Sequence, residues 1–102
     1  MSWQGYVACF FAGGFLANVV PHFVHGISGD GFPTPFAKPP GKGLSSPTVN
    51  VVWALVNLVA GYALFRVGGV ATGRWPELAV FFAGISALSV MMSVHFQSKH
   101  SR

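Results

Sequence analysis

Residues 26–46 read GISGDGFPTPFAKPPGKGLSS and separate two long apolar segments of a 102-residue chain. Glycine, proline and small polar residues dominate this stretch, so it predicts an irregular connection rather than a helix or a strand. Irregular connections of about 20 residues are uncommon in small proteins and are usually functional or disordered. The stretch therefore divides the chain and is also the first candidate for function.

The composition around this stretch indicates a protein that is solvated by lipid. Hydrophobic residues make up 52% of the chain and charged residues only 8%, whereas an ordinary soluble domain has about 25% charged residues. Six basic and two acidic side chains are too few to cover a water-exposed surface. The single cysteine, Cys9, lies in the first apolar segment and has no partner for a disulfide within the chain.

Three apolar segments are predicted to be transmembrane helices. Each has about 21 residues, and a helix of that length covers about 30 Å, which is the thickness of the hydrocarbon core of a bilayer. Ser46 followed by Pro47 is typical of a helix start, and Gly68 is typical of a helix end. The predicted fold is an all-α integral membrane protein, with one membrane domain over residues 1–102, spans at 5–25, 47–67 and 76–96, and a long Gly/Pro-rich loop at 26–46.

Polar residues inside the spans are expected to face protein, because an unpartnered polar side chain is costly in a bilayer. At 100° per residue, the polar and small residues of each span fall within a sector of about 60° to 80°. Such faces pack closely and hydrogen-bond between helices, so the three faces are predicted to converge. The predicted polar interior of the bundle consists of Asn18, His22, Asn50, Asn57, Ser86 and Ser93.

The loop is predicted to be an ordered cap over one end of the bundle, with a disordered linker as the alternative. Four prolines favour extended backbone, and two phenylalanines four residues apart are unusual for a disordered segment. The predicted cap residues are Phe32, Pro33, Pro35, Phe36, Lys38 and Lys42.

Catalytic residues are not predicted anywhere in the chain. The two acidic residues, Asp30 and Glu77, lie in different segments, so no paired carboxylates or nucleophile–base set emerges. His22 and His25 have the i, i+3 spacing of metal ligands on a helix, but further ligands are missing, and they are only weak candidates for metal or haem. No cofactor is expected, and membrane lipids are the expected contacts.

The basic residues are scattered singly, which argues against nucleic-acid binding. Their distribution places the loop and the carboxyl terminus in the cytoplasm by the positive-inside rule. The location predicted is a bacterial inner membrane or its organelle equivalent. The basic residues on the two sides are Lys38, Lys42, Lys99 and Arg102 against Arg66 and Arg74.

The function predicted from these features is that of a small non-enzymatic accessory or structural subunit, or a homo-oligomer. Three helices bury little surface alone, and their small-residue faces favour further packing. In this hypothesis the 26–46 loop is a lid or a docking surface for a partner. Two alternatives are a minimal channel or transporter with a polar path through the bundle, and a metal- or haem-binding protein that uses histidine ligands.

Overall fold

The computed structural model describes residues 2–97, which are all-helical apart from their connections. Three helices are long and apolar enough to cross a membrane. The bounds of the second helix equal the predicted ones, and those of the other two differ by at most two residues. Lys99 and Arg102, which contributed to the predicted orientation, lie outside the described residues. The helices are α1 (Trp3–Ile27), α2 (Pro47–Val67) and α3 (Trp75–Phe96), with a short 3₁₀ turn at Val70–Thr72 between α2 and α3.

The ends of α2 follow the local sequence signals. The Ser46 hydroxyl accepts a hydrogen bond from the backbone N–H of Val49 at 3.1 Å, and Pro47 occupies the first helical turn. This caps a backbone donor that has no partner within the helix. At the other end, Gly69 adopts a φ of 78°, a left-handed conformation that glycine reaches without steric cost. The chain can therefore reverse and begin α3 after only a short connection.

The first helix is the centre of the fold, because α2 and α3 both pack against it. The contact with α3 depends on two glycines. A Cβ at Gly84 would overlap the carbonyl oxygen of Phe10, and a Cβ at Gly13 would overlap that of Phe81. Each helix therefore presents a glycine to the backbone of the other, which allows α1 and α3 to cross at backbone distance.

The contact between α1 and α2 is close at both of its ends. Gly26 lies against Pro47, where an added Cβ would come within 2.8 Å of the Pro47 carbonyl oxygen. At the opposite end, the thiol of Cys9 donates a hydrogen bond to the carbonyl oxygen of Gly68 at 3.1 Å. Because both ends are fixed, α2 follows α1 over most of its length.

The remaining pair, α2 and α3, meets near the end of the bundle opposite the loop. There the rings of Phe65 and Phe81 lie 5.4 Å apart, edge to face. Toward the loop, a cavity of about 510 Å³ separates the two helices, with α1 as its floor. The cavity is a lateral groove that begins below the loop.

The packed face of α3 differs from the predicted one. The buried residues of α3 are Glu77 and Gly84, about 160° to 180° around the helix from Ser86. Ser86 and Ser93 are exposed, so the prediction that they belong to the bundle interior is wrong. Their hydroxyls donate to carbonyl oxygens of their own helix, at 2.9 Å and 2.7 Å respectively. A serine whose hydroxyl is hydrogen-bonded within its own helix needs no partner on a neighbouring helix. The close approach of the backbones at Gly84 decides which face of α3 packs against α1.

The glycine crossing gives a first test of the fold. Gly84→Leu is expected to lower the free energy of unfolding by about 3 kcal/mol or more, because a side chain there meets the Phe10 backbone rather than a movable side-chain end. Ala83→Leu, at the exposed neighbouring position, is the control and should change stability little. Unfolding by SDS titration, followed by circular dichroism in detergent, measures both. Equal stability of the two variants would contradict the crossing.

A capped groove as the candidate functional site

The connection after α1 is an ordered cap, which we define as residues 28–46. Its two ends are joined by a backbone pair in which Phe32 N–H donates to Ser45 O at 3.3 Å and Ser45 N–H donates to Phe32 O at 3.0 Å. Within the cap, the Thr34 carbonyl oxygen accepts from the N–H groups of Ala37 and Gly41, at 3.1 Å and 2.8 Å. The cap therefore satisfies much of its own backbone, although it contains neither a helix nor an extended strand.

Asn50 attaches the cap to the helices. Its buried side-chain amide donates to the carbonyl oxygens of Phe32 and Ser46, both at 3.0 Å. Its amide oxygen lies 2.7 Å from Nδ1 of His22, and since an amide oxygen only accepts, His22 must carry its proton on Nδ1. One side chain of α2 thus bonds to α1 and to both ends of the cap.

Phe32 inserts its ring into the end of the bundle. It is only 4% exposed, and it stacks on His25 with ring centroids 4.5 Å apart and an interplanar angle of 17°. It also contacts His22 of α1 at 5.3 Å and Phe96 of α3 at 4.7 Å. The ring lies between α1 and α3 and keeps their ends apart at the level of the cap.

The other predicted cap residues have different environments. Pro33 is buried, whereas Pro35, Lys38 and Lys42 are exposed. Phe36 is 64% exposed but places its ring edge to face with Trp53, at 5.0 Å. The sequence alone did not distinguish Phe32, which anchors the cap, from Phe36, which packs on its outer part.

The third helix is also tied to the cap, by a contact that the sequence did not predict. Nε2 of His95 lies 2.8 Å from the Gly41 carbonyl oxygen, and since a carbonyl only accepts, the imidazole N–H donates. His95 and Gly41 are far apart in the chain, so no sequence pattern indicates this hydrogen bond. All three helices therefore hold the cap.

The groove below the cap is lined almost entirely by apolar atoms. Most polar side chains that line the groove form hydrogen bonds within the protein. Asn18 Nδ2 donates to Asn57 Oδ1 at 3.1 Å, and Asn57 Nδ2 donates to the Trp53 carbonyl oxygen at 2.7 Å. These bonds join α1 to α2, which is how asparagine commonly stabilises membrane helices. The amide groups of Asn18 and Asn57 are therefore hydrogen-bonded within the protein.

His22 and His25, the weak candidates for metal or haem ligands, both contact other residues of the protein. Nδ1 of His22 is bonded to Asn50, and the ring of His25 is stacked on Phe32. Within residues 2–97, no group of three or more His, Cys, Asp or Glu side chains is placed to hold a metal ion.

Glu77 is a buried carboxylate at the end of the bundle opposite the cap. It is in the first turn of α3 and is completely buried, which the sequence did not indicate. Arg74 Nε lies 3.5 Å from its Oε2 atom, and neither carboxylate oxygen has a hydrogen-bond partner among the described residues. The 3₁₀ turn before α3 contacts this helix, and its residue Val70 is buried as well.

The chain matches no protein-family model, no curated protein and no solved structure. Proposals about its function are therefore based on the cap and the groove themselves.

The attachment of the cap through Asn50 is testable by proteolysis. Asn50→Ala should lower the free energy of unfolding by about 1–3 kcal/mol, because buried carbonyl groups and His22 lose their partner. It should also speed trypsin cleavage after Lys42 in the cap, since opening of the cap becomes easier. Lys38 precedes a proline and is a poor trypsin site, so the cut at Lys42 reports on the cap.

The control for this experiment is Thr48→Ala, an exposed position in the same turn of α2. Cleavage is followed by mass spectrometry of the protein in nanodiscs, through the appearance of the 1–42 fragment. An Asn50→Ala variant that is cut no faster than Thr48→Ala would show that the cap does not depend on this side chain.

Proposed function

We propose that this protein is a small non-enzymatic integral membrane protein in which residues 28–46 act as a lid over a lateral groove. The observation that carries the proposal is the attachment of the cap to all three helices, through Asn50, Phe32 and His95. A connection built only to join two helices has no need of these bonds. These contacts therefore support a role for the connection beyond joining α1 to α2.

Membrane insertion is supported by the distribution of exposed residues. Large apolar side chains are exposed along the helices, including Val59 of α2 and Val90 of α3, at 70% and 64%. Exposed apolar surface on this scale is unfavourable in water and favourable in lipid. The charged residues lie at the two ends of the bundle, with Lys38 and Lys42 in the cap and Arg66 and Arg74 at the opposite end. We propose that the cap lies on the cytoplasmic side by the positive-inside rule, because Lys99 and Arg102 follow α3 in the sequence and add to Lys38 and Lys42.

The proposal also includes assembly, either with further copies of this chain or as an accessory subunit of a larger membrane complex. The third helix supports assembly, because only 11% of its most apolar 18-residue stretch is buried within one chain. Its exposed face carries Ser86, Ser89 and Ser93, and small residues of this kind let membrane helices approach closely.

The transmembrane topology is tested by labelling of cysteine variants. In a Cys9→Ala background, Lys42→Cys in the cap and Thr72→Cys in the 3₁₀ turn are both exposed positions at opposite ends of the bundle. A membrane-impermeant maleimide added to intact bacterial cells that express the protein should label Thr72→Cys and spare Lys42→Cys until the membrane is opened. Labelling of both from outside would contradict spanning, and the reverse pattern would contradict only the orientation.

The assembly is tested by native mass and crosslinking in a mild detergent. Ser89→Cys on the exposed face of α3 should crosslink to a second copy or to a co-purifying protein, since this face is expected to be covered. Val59→Cys on α2 is the matched control, and it should react with added maleimide without crosslinking, because lipid is its expected neighbour. A monomeric mass, together with no crosslink from Ser89→Cys, would remove assembly from the proposal.

A further inference from the structure

Histidine side chains of α1 and α3 take part in the attachment of the cap. His22 of α1 bonds through Nδ1 to Asn50, the side chain that holds both ends of the cap. His25, one turn further along α1, stacks on the buried ring of Phe32. His95 of α3 bonds through Nε2 to a carbonyl oxygen of the cap. Histidine gains a proton between about pH 8 and pH 5, so the charge of these attachments can change near neutral pH.

His22 is the most enclosed of the three side chains. It is 2% exposed, whereas His25 is partly buried and His95 is exposed. Its ring lies edge to face with that of Phe32, at 5.3 Å, and its Nδ1 donates to the amide oxygen of Asn50 at 2.7 Å. Because Nδ1 already carries a proton, a second proton must go to Nε2. The ring then has a full positive charge at a site that is shielded from water.

The surroundings of His22 do not compensate a positive charge. On its own helix the neighbouring titratable group is His25, which repels a charge on His22 when it is itself protonated. From α2 it faces the uncharged Asn50, and from the cap the ring of Phe32. From α3, His95 lines the same groove. Among the described residues, no carboxylate forms an ion pair with His22. The charged residues of the cap, all exposed, are Asp30, Lys38 and Lys42.

Hydration of a charged His22 requires that the cap moves. On one side the imidazole borders the groove, whose walls are almost entirely apolar. On the side of the cap it is covered by Phe32, whose carbonyl oxygen accepts from Asn50. Water therefore reaches the ring when Phe32 leaves its place, and this breaks the bond between Asn50 and the cap.

We propose that protonation of His22 releases the cap, so that the lid is closed near pH 8 and opens as the pH falls to about 5. The inference rests on the proposed role of residues 28–46 as a lid, and it adds the control of that lid. The closed cap buries the neutral imidazole, and an unpaired buried charge is costly. The closed state is therefore favoured at high pH and is lost when the proton binds.

The other two histidines do not reverse this sign. A protonated His25 can still stack on Phe32, as a cation on an aromatic ring, and His95 donates from Nε2 in both of its protonation states. Both effects favour the closed cap, but they are weak at sites that water can reach. The cost of the charge on His22 is larger, because that ring is enclosed.

The test is hydrogen–deuterium exchange of the full chain in nanodiscs at about pH 8 and about pH 5. The reporter is a cap peptide that contains the N–H groups of Gly41 and Ser45, which are bonded within the cap. Labelling times are scaled so that the intrinsic exchange is equal at the two pH values. Protection of this peptide should fall about tenfold at the lower pH, while a peptide from the middle of α2 stays protected. Equal cap protection at both values, or loss of protection in α2 as well, would overturn the proposal.

Two variants identify the histidine that is responsible. The amide nitrogen of His22→Asn can donate to Asn50 in place of Nδ1, and it takes up no proton. The ratio of cap protection at the two pH values should therefore fall to about one, whatever its absolute level. His95→Gln keeps a donor at the position of Nε2 and should keep the tenfold ratio, to within about a factor of two. A response that persists in His22→Asn, or that disappears in His95→Gln, would contradict the role of His22.

Nuclear magnetic resonance of ¹⁵N-labelled histidine follows the proton itself in the wild type. His22→Asn identifies the signal by its disappearance. His22 should be neutral with the proton on Nδ1 at the higher pH, and it should become doubly protonated in step with the exchange of the cap. A cap that opens while His22 is still neutral would overturn the proposal.

Failure of this inference is distinguishable from failure of the proposed lid. Cap amides that are protected equally at both pH values leave the lid in place and remove only its control by His22. Cap amides that are unprotected at the higher pH would show that residues 28–46 are not a closed lid, and this would overturn both proposals.

Discussion

The carboxamide of Asn50 is the interaction on which the capped end of the bundle depends. Buried backbone groups of an irregular segment need hydrogen-bond partners, because a buried group without one is costly. Asn50 supplies donors to Phe32 and Ser46 of the cap, and its oxygen receives the proton of His22. An apolar side chain at this position has no means of doing either. The polar residue is therefore required by the backbone of the cap, and its burial follows from that.

A second constraint, the close approach of backbones at glycine, fixes how α2 and α3 pack against α1. Gly13 and Gly84 bring α1 and α3 into contact without intervening side chains, and Gly68 brings the end of α2 to Cys9. Both α2 and α3 pack against α1, and the groove lies where they do not contact each other, at the end of the bundle that carries the cap.

The helices and the polar contact between α1 and α2 could be predicted from the sequence, because both depend on local patterns. Asn18, His22, Asn50 and Asn57 follow helical spacing, and their side chains have no other satisfactory environment in an apolar segment. The exposed side of α3 could not be predicted in the same way, since Ser86 and Ser93 satisfy their hydroxyls within their own helix. The contact of His95 with Gly41 joins residues far apart in the chain and leaves no trace in a single sequence. The complete burial of Glu77 was likewise not indicated by the sequence.

The cap and the groove form one structural unit, because Pro33, Thr34, Pro35 and Gly41 of the cap are part of the wall of the groove. Phe32 contacts His25 on α1 and Phe96 on α3, so it holds the ends of these helices apart. Withdrawal of this ring would also move Pro33 and Thr34, which follow it in the chain, out of the wall of the groove. A cap that merely covered the bundle could open without altering what lies below it. Here, opening of the cap also removes part of the groove wall, so the shape of the groove depends on the position of the cap.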